Sequence, residues 1–290
     1  MKGIDHLVLC VSDLDEAARR YGAMGFTCTP RAIHPFGTMN QLVQFDRTYL
    51  ELLAVREPDE IPLHAGSHFS FAAFNRDFLK DGEGFSMLVL DSTDARADQK
   101  RFAEAGITRF APFDFERKAR LPAGEEVTVG FSLAFAMNQA MGRAGFFVCQ
   151  QHAPQYFWKR EYQIHANGAY AVGDVLMLGE HPASYASFFE AFADLPAREV
   201  SADELAFTLA RGGLRMLSPE AWERHFPAAF APELAHGPCL AGYTVLVSDL
   251  GRARESLDEG RIAYLADGDR LIVAPDEGFN VMIVFSESGR

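Results

Sequence analysis

The sequence predicts an α+β protein of four βαβββ modules paired into two domains. Two observations carry this. First, an order of elements, strand then helix then three strands, starts afresh at Ile4, Phe85, Ala169 and Ala241. Second, these starts lie roughly 70 to 85 residues apart, and internal repetition at that scale marks a recurring supersecondary unit. Four such copies fill the 290 residues.

Each copy can be justified in turn. In the first, IDHLVLCV (4–11) is a short apolar run suited to a buried strand. Asp13 or Asp15 can cap the following helix, which Gly25 ends. A strand is expected near 27–33, and NQLVQFDRTYLELLAV (40–55) reads as two strands around Asp46-Arg47-Thr48. The second copy runs through FSMLVLD (85–91), a helix over 94–107 and strands at 127–137 and 142–151. The third opens on AYAVGDVLML (169–178), continues with a helix over 183–195, and pairs ELAFTLA with LRMLS across Gly212-Gly213. The fourth opens on AGYTVLVSDL (241–250), carries a helix over 251–260, turns at Asp267-Gly268 and closes with FNVMIVF (279–285). The domains are then 1–155, holding modules 1 and 2, and 156–290, holding modules 3 and 4. Three segments stand outside the copies: 63–84 and 219–237, each with short helices, and the aromatic crossover HAPQYFWKREYQIHANGA (152–169).

Composition narrows the function. A net charge of −13 argues against a grip on nucleic acid or anionic lipid. The N-terminus lacks the apolar core of a secretory signal, and no apolar run approaches the ~18 residues of a spanning helix, so a cytoplasmic protein is expected. Cys10, Cys28, Cys149 and Cys239 are scattered without Cys-x-x-Cys spacing and read as reduced. No Gly-x-Gly-x-x-Gly, P-loop or Gly-x-Ser-x-Gly is present, so no nucleotide cofactor is expected. The 25 Phe against two Trp suit either an aromatic core or an apolar chamber.

The opening GIDHLVLCVSDLDEAARRYGAMGF, the following HPFGTMNQLVQFDRTYLELLAV, and the later FFVCQQHAPQYFWK with QIHANGA resemble the vicinal oxygen chelate superfamily, and within it the glyoxalase-like domain proteins. The superfamily groups glyoxalases, bleomycin resistance proteins and extradiol dioxygenases. The resemblance implies curved mixed sheets around a cleft and a divalent metal, Zn, Fe, Mn, Ni or Co, held by residues of the first and last strands. In this sequence those positions fall on His6 and Glu51. The second module departs from the pattern: Ser86 stands where a His is expected, and Cys149, Gln150 and Gln151, followed by His152, stand near the place of Glu51. The third and fourth modules offer no ligand set, which takes support from a ring-cleaving dioxygenase.

His6, Glu51 and His152 are therefore the candidate catalytic residues, with His6 and Glu51 as the metal candidates. Asn40, Phe147, Gln150, Gln151, Trp158 and His165 are the candidates for binding substrate. His6 alone also reads as a core histidine satisfied by the backbone, but a carboxylate such as Glu51 in an apolar strand needs a partner. The resemblance implies a small-molecule lyase or isomerase acting on a carbonyl or vicinal-oxygen substrate. A non-catalytic binding protein with the same cleft is the alternative, and monomer and homodimer both stay open.

Overall fold

The computed structural model describes residues 1–120 and 126–287. The first run holds β1 (Ile4–Cys10), α1 (Leu14–Ala23), β2 (Ala32–Ile33), β3 (Thr38–Gln44) and β4 (Tyr49–Val55), followed by α2 (Phe71–Phe78). The second holds β5 (Gly84–Asp91), α3 (Ala95–Glu104), β6 (Phe113–Arg120), β7 (Glu126–Ala136) and β8 (Gly145–Gln151), followed by the short α4 (Pro154–Phe157). The third holds β9 (Ala169–Leu178), α5 (Ala186–Ala193), β10 (Glu199–Val200), β11 (Glu204–Thr208) and β12 (Gly213–Leu217), followed by α6 (Pro219–His225). The last holds β13 (Cys239–Val247), α7 (Leu250–Glu259), β14 (Tyr264–Asp267), β15 (Arg270–Val273) and β16 (Met282–Ser286). The chain is thus mixed α+β with a large mixed sheet and seven α-helices among the described residues.

In each run the first strand lies parallel to the last: β1 to β4, β5 to β8, β9 to β12 and β13 to β16. A strand–helix start explains this, because the helix carries the chain back across the face before the next strands are laid down. The opening strands then pair antiparallel, β1 with β5 and β9 with β13. A single residue pair, Leu240 with Phe85, links the two resulting halves edge to edge.

Aspartates set where three helices begin. Asp13 accepts from the amides of Asp15 and Glu16, Asp94 from those of Arg96 and Ala97, and Asp249 from that of Gly251. Each satisfies backbone donors that a helix start leaves free. Gly25 and Gly106 follow the helices with φ of +88° and +70°, the left-handed conformation that ends a helix readily only at glycine.

Alternation along the strands divides the apolar residues between two faces. On the helix side, Leu7, Leu9, Leu50, Leu88, Phe146, Phe189, Tyr243 and Phe285 belong to one core that runs through both halves. There Phe146 meets Phe188, Phe189 and Phe192 of α5 at ring distances of 5.2, 5.3 and 5.6 Å. On the other face, two separate clusters form. One lies in the first half around Val8, Leu53, Val89, Phe135 and Phe147; the other lies in the second half around Leu176, Leu217, Trp222 and Ile272. The adjacent Phe146 and Phe147 therefore serve opposite faces.

Candidate functional site

The first half closes its open face around a small cavity of about 40 Å³ lined by seven aromatic rings, among them Phe36, Tyr49, Phe71, Phe115 and Phe147. Its polar edge is His6, His34, Asn40 and Glu51. All four are nearly inaccessible to solvent.

His6 owes its setting to an irregularity in β1. The register against β5 slips between Ile4 and His6, leaving Asp5 as an extra residue. Such a bulge re-aims side chains that would otherwise point to opposite faces. Asp5 and His6 consequently meet: His6 Nδ1 lies 2.7 Å from Asp5 Oδ2. Because a carboxylate can only accept, Nδ1 carries the hydrogen, and Nε2 turns to Glu51 Oε2 at 3.8 Å. The His6 ring stacks on Tyr49, centroids 4.4 Å apart, and takes the edge of Phe147 at 5.5 Å. Packing and the Asp5 hydrogen bond together fix the imidazole.

Glu51 is held from the other side. Asn40 Nδ2 donates to its Oε1 and also lies 3.3 Å from His34 Nε2. His34 Nδ1 sits 2.7 Å from Thr38 Oγ1. With both amide hydrogens of Asn40 engaged, its Oδ1 is left buried with no hydrogen-bond partner. Beside His6 Nε2, the cavity edge therefore presents two acceptors, Glu51 Oε2 and Asn40 Oδ1.

The structure brings His6, Asn40, Glu51 and Phe147 together at this cavity. Gln151 stands behind it, its Nε2 donating to Asp5 Oδ1 at 2.9 Å. Trp158 lies outside the lining, edge-on to Tyr49 at 5.9 Å. The others lie elsewhere. Gln150 accepts from Ala95 N and donates to Thr93 O, bracing the start of α3. His152 lies in a cleft that backs onto the cavity across Phe115 and Phe131, its Nε2 2.8 Å from Ser132 Oγ, which in turn donates to Asp114 at 2.6 Å. His165 takes the amide of Thr27 on Nδ1 and donates from Nε2 to Gln44 O, clasping the crossover to the first half. Burial holds its pKa below the ordinary histidine value, against the pull of that backbone bond.

Site residues passed over in the sequence include Asp5, just behind the cavity, which plain alternation assigns to the opposite face, and the lining rings Phe36, Phe71 and Phe115; Phe157 of the crossover does line the cavity, and Gln44 positions it by donating to its carbonyl at 3.1 Å. The run 69-FSFAAF and the alternating Phe113 and Phe115 carried the remaining signal, since rings spaced to share a face need a common apolar neighbour.

The registers also settle what faces His6 and Glu51 from the second run. Counted back from the caps Asp13 and Asp94, His6 corresponds to Met87. Val8 pairs with Glu51 as Val89 pairs with Phe147, so Glu51 corresponds to Phe147. Ser86, the counterpart expected from the sequence, points away and donates to Asn75 Oδ1 at 2.6 Å. A thioether and a phenyl ring thus stand where two further donors are needed. Cys149 also lines the cavity, and burial, with Asp5 and Glu51 nearby, pushes its thiol well above the usual range. Among the described residues, no group of three or more His, Cys, Asp or Glu could hold a metal ion. The donor set does not fit a resident divalent metal.

A glyoxalase-like domain model matches residues 4–193, about two thirds of the chain and the whole of the cavity. The chain belongs to the glyoxalase-like domain family, and with it to the vicinal oxygen chelate superfamily. No curated protein matches this glyoxalase-like chain. Among solved structures, it is similar to a hypothetical protein from Staphylococcus aureus, with a TM-score of 0.65 and 13% identity over 99% of each chain. It is also similar to a mutant of 4-hydroxymandelate synthase from Streptomyces coelicolor, with a TM-score of 0.56 and 13% identity over 100% of this chain and 94% of that one. A xylose isomerase-like TIM barrel/4-hydroxyphenylpyruvate dioxygenase fusion protein matches with a TM-score of 0.53 and 14% identity, over 99% of this chain and 49% of the fusion. These likenesses are likenesses of fold. No helix among the described residues is long and apolar enough to cross a membrane.

Proposed function

We propose that this glyoxalase-like protein is a small-molecule isomerase or lyase that moves a proton on a carbonyl or vicinal-oxygen substrate in the first-half cavity. The observation that carries the reading is His6 fixed between two carboxylates, Asp5 at 2.7 Å and Glu51 at 3.8 Å, inside an apolar chamber. The gap to Glu51 is longer than a hydrogen bond, so a substrate atom can bridge it.

On an α-hydroxycarbonyl compound, Glu51 Oε2 takes the proton on carbon. The C–H electron pair becomes the C=C bond, and the carbonyl π pair moves to oxygen. His6, protonated on Nε2 at this stage, gives that oxygen its proton, and Asp5 steadies the ring throughout. The product is a neutral enediol, whose two hydroxyls donate where the cavity offers acceptors; reversal on the neighbouring carbon completes an isomerisation. Exclusion of water by the rings strengthens each of these polar contacts. Residues 1–155 and 156–290 are read as two paired-module units, with this chemistry in the first.

Incorporation of deuterium from D₂O at the α-carbon of 2-hydroxyacetophenone, followed by NMR, tests the reading. The wild-type protein should catalyse the exchange, and Glu51→Gln or His6→Asn should slow it by about 10²- to 10⁴-fold, the usual weight of one acid–base group. Exchange that is unaffected by both substitutions would remove His6 and Glu51 from the chemistry.

A further inference from the structure

The walls of the cavity also say what its ligand carries. We infer that the site selects an uncharged aromatic compound bearing a hydroxyl donor and excludes the corresponding carboxylic acid; this rests on the cavity being the reaction site proposed above.

Three observations bear on it. No Lys or Arg lines the cavity among the described residues, while the carboxyl of Glu51 is in the lining and that of Asp5 lies directly behind His6. A carboxylate ligand would enter an apolar space without a counter-ion and face like charge, and both effects oppose binding. The rings supply the second observation. They give apolar walls on several sides, with Phe71 and Phe115 each edge-on to Phe36 at 5.7 and 5.2 Å, and a ligand ring can meet such walls by the same edge and face contacts. The third is the orphaned Asn40 Oδ1, a buried acceptor in a side chain that lines the cavity. A buried acceptor without a donor is unfavourable by about 1–3 kcal/mol in general, and a ligand hydroxyl removes that penalty.

Among the described residues, basic side chains line two clefts that adjoin the cavity, one sharing Asn40, Leu42 and Phe157 with it and the other sharing Phe115 and Phe131. In the first, Arg31 is paired with Asp15 and Lys118 with Glu126, and Lys159 also lines it; in the second, Arg96 is paired with Asp114. An anionic group is therefore met outside the chamber and not within it.

Isothermal titration of the wild-type protein with 2-hydroxyacetophenone and with mandelate tests the inference, alongside the exchange assay. The neutral compound should bind at least about tenfold more tightly than the acid, the scale of one unfavourable charge contact. Leu42→Lys, which places a cation at the boundary of the two spaces, should narrow or invert that ratio. Acetophenone, lacking the hydroxyl, should bind more weakly than 2-hydroxyacetophenone in the wild type and equally in Asn40→Ala. Equal or tighter binding of mandelate by the wild type overturns the charge selection, and so does failure of both compounds to bind. Tight, selective binding of the neutral compound without exchange keeps this inference and overturns the proton-transfer reading.

Discussion

The two halves of the molecule lay down the same order of strands and then fill the open face of the sheet differently. In the first half, α2 and the crossover bring rings over the sheet but leave a chamber with His6 and Glu51 at its edge. In the second, α6 drives Trp222 into the corresponding space, where Leu176, Leu217, Ile272, Met282 and Val284 close around it. What remains open there is a charged trough. By strand register, His6 corresponds to Asp174 and Glu51 to Arg215, since Val8 pairs with Glu51 as Leu176 pairs with Arg215. Arg215 is bound to Glu204 at 2.7 Å, and that guanidinium holds the Glu204 carboxyl below its usual pKa. One scaffold thus yields a ring-lined chamber or a plugged face beside a charged trough, depending on a few large side chains. The lesson is that the backbone supplies positions, and the residues inserted between strands decide whether those positions face a ligand.

Three further measurements would break or sharpen this contrast. The largest effect is expected at Trp222, which is fully buried. Trp222→Ala should reduce stability to urea by about 3–5 kcal/mol, the range for removing a buried aromatic side chain. A loss no greater than that of Phe157→Ala, at the roof of the chamber, would mean that the second half is not the packed one.

A smaller effect should appear with pH at the clasp between the halves. His165 has its pKa lowered by burial, so the folded state favours the neutral ring. Its stabilising contribution is complete above the unfolded value, about 6.5, and is lost as pH falls through the lower folded value. Thermal unfolding should therefore occur at a lower temperature at pH 5.5 than at pH 7.5, and His165→Asn should flatten that dependence. His64 and His225, also lowered by burial, leave a residual slope in the variant. An unchanged slope would show that the clasp does not depend on a neutral His165.

The smallest effect concerns Asp174, whose pKa is raised by burial against the opposing influence of Arg215 and Arg198. A raised folded value means that the ionised form is disfavoured in the fold, and the penalty grows as pH rises through that value. Asp174→Asn should raise the melting temperature at pH 8 by about 2 °C, with the gain disappearing as pH falls. A drop in melting temperature would instead assign the Asp174 carboxylate a stabilising partner.

Much of the element order was legible in the residues, because apolar runs, aspartate caps and Gly-containing turns are local signals. Asp13, Gly25 and Asp267-Gly268 all stand at the boundaries their chemistry suggests. His6 and Glu51 were legible as polar residues in apolar strands. The counterparts in the second run were not, since choosing Met87 over Ser86 needs the strand register, which pairing and not composition determines. His152 and Gln150 follow closely after Cys149 in the chain, yet alternation and the end of β8 send both to the neighbouring cleft and not to the cavity that Cys149 lines. Phe71 and Phe115 lie in ring-rich stretches, but that they converge with Phe36 from three separate segments is a long-range fact.

The slipped register at Asp5 has a consequence for how such a site is inherited. A buried histidine–carboxylate pair is ordinarily assembled from distant parts of a chain and can be lost by drift at either one. Here the imidazole and the carboxylate that steadies it are neighbours in a dipeptide, held on one side of the sheet by a single supernumerary residue. Deleting one codon at that point would restore a regular strand and dissolve the pair, while leaving nearly every other contact of the fold in place.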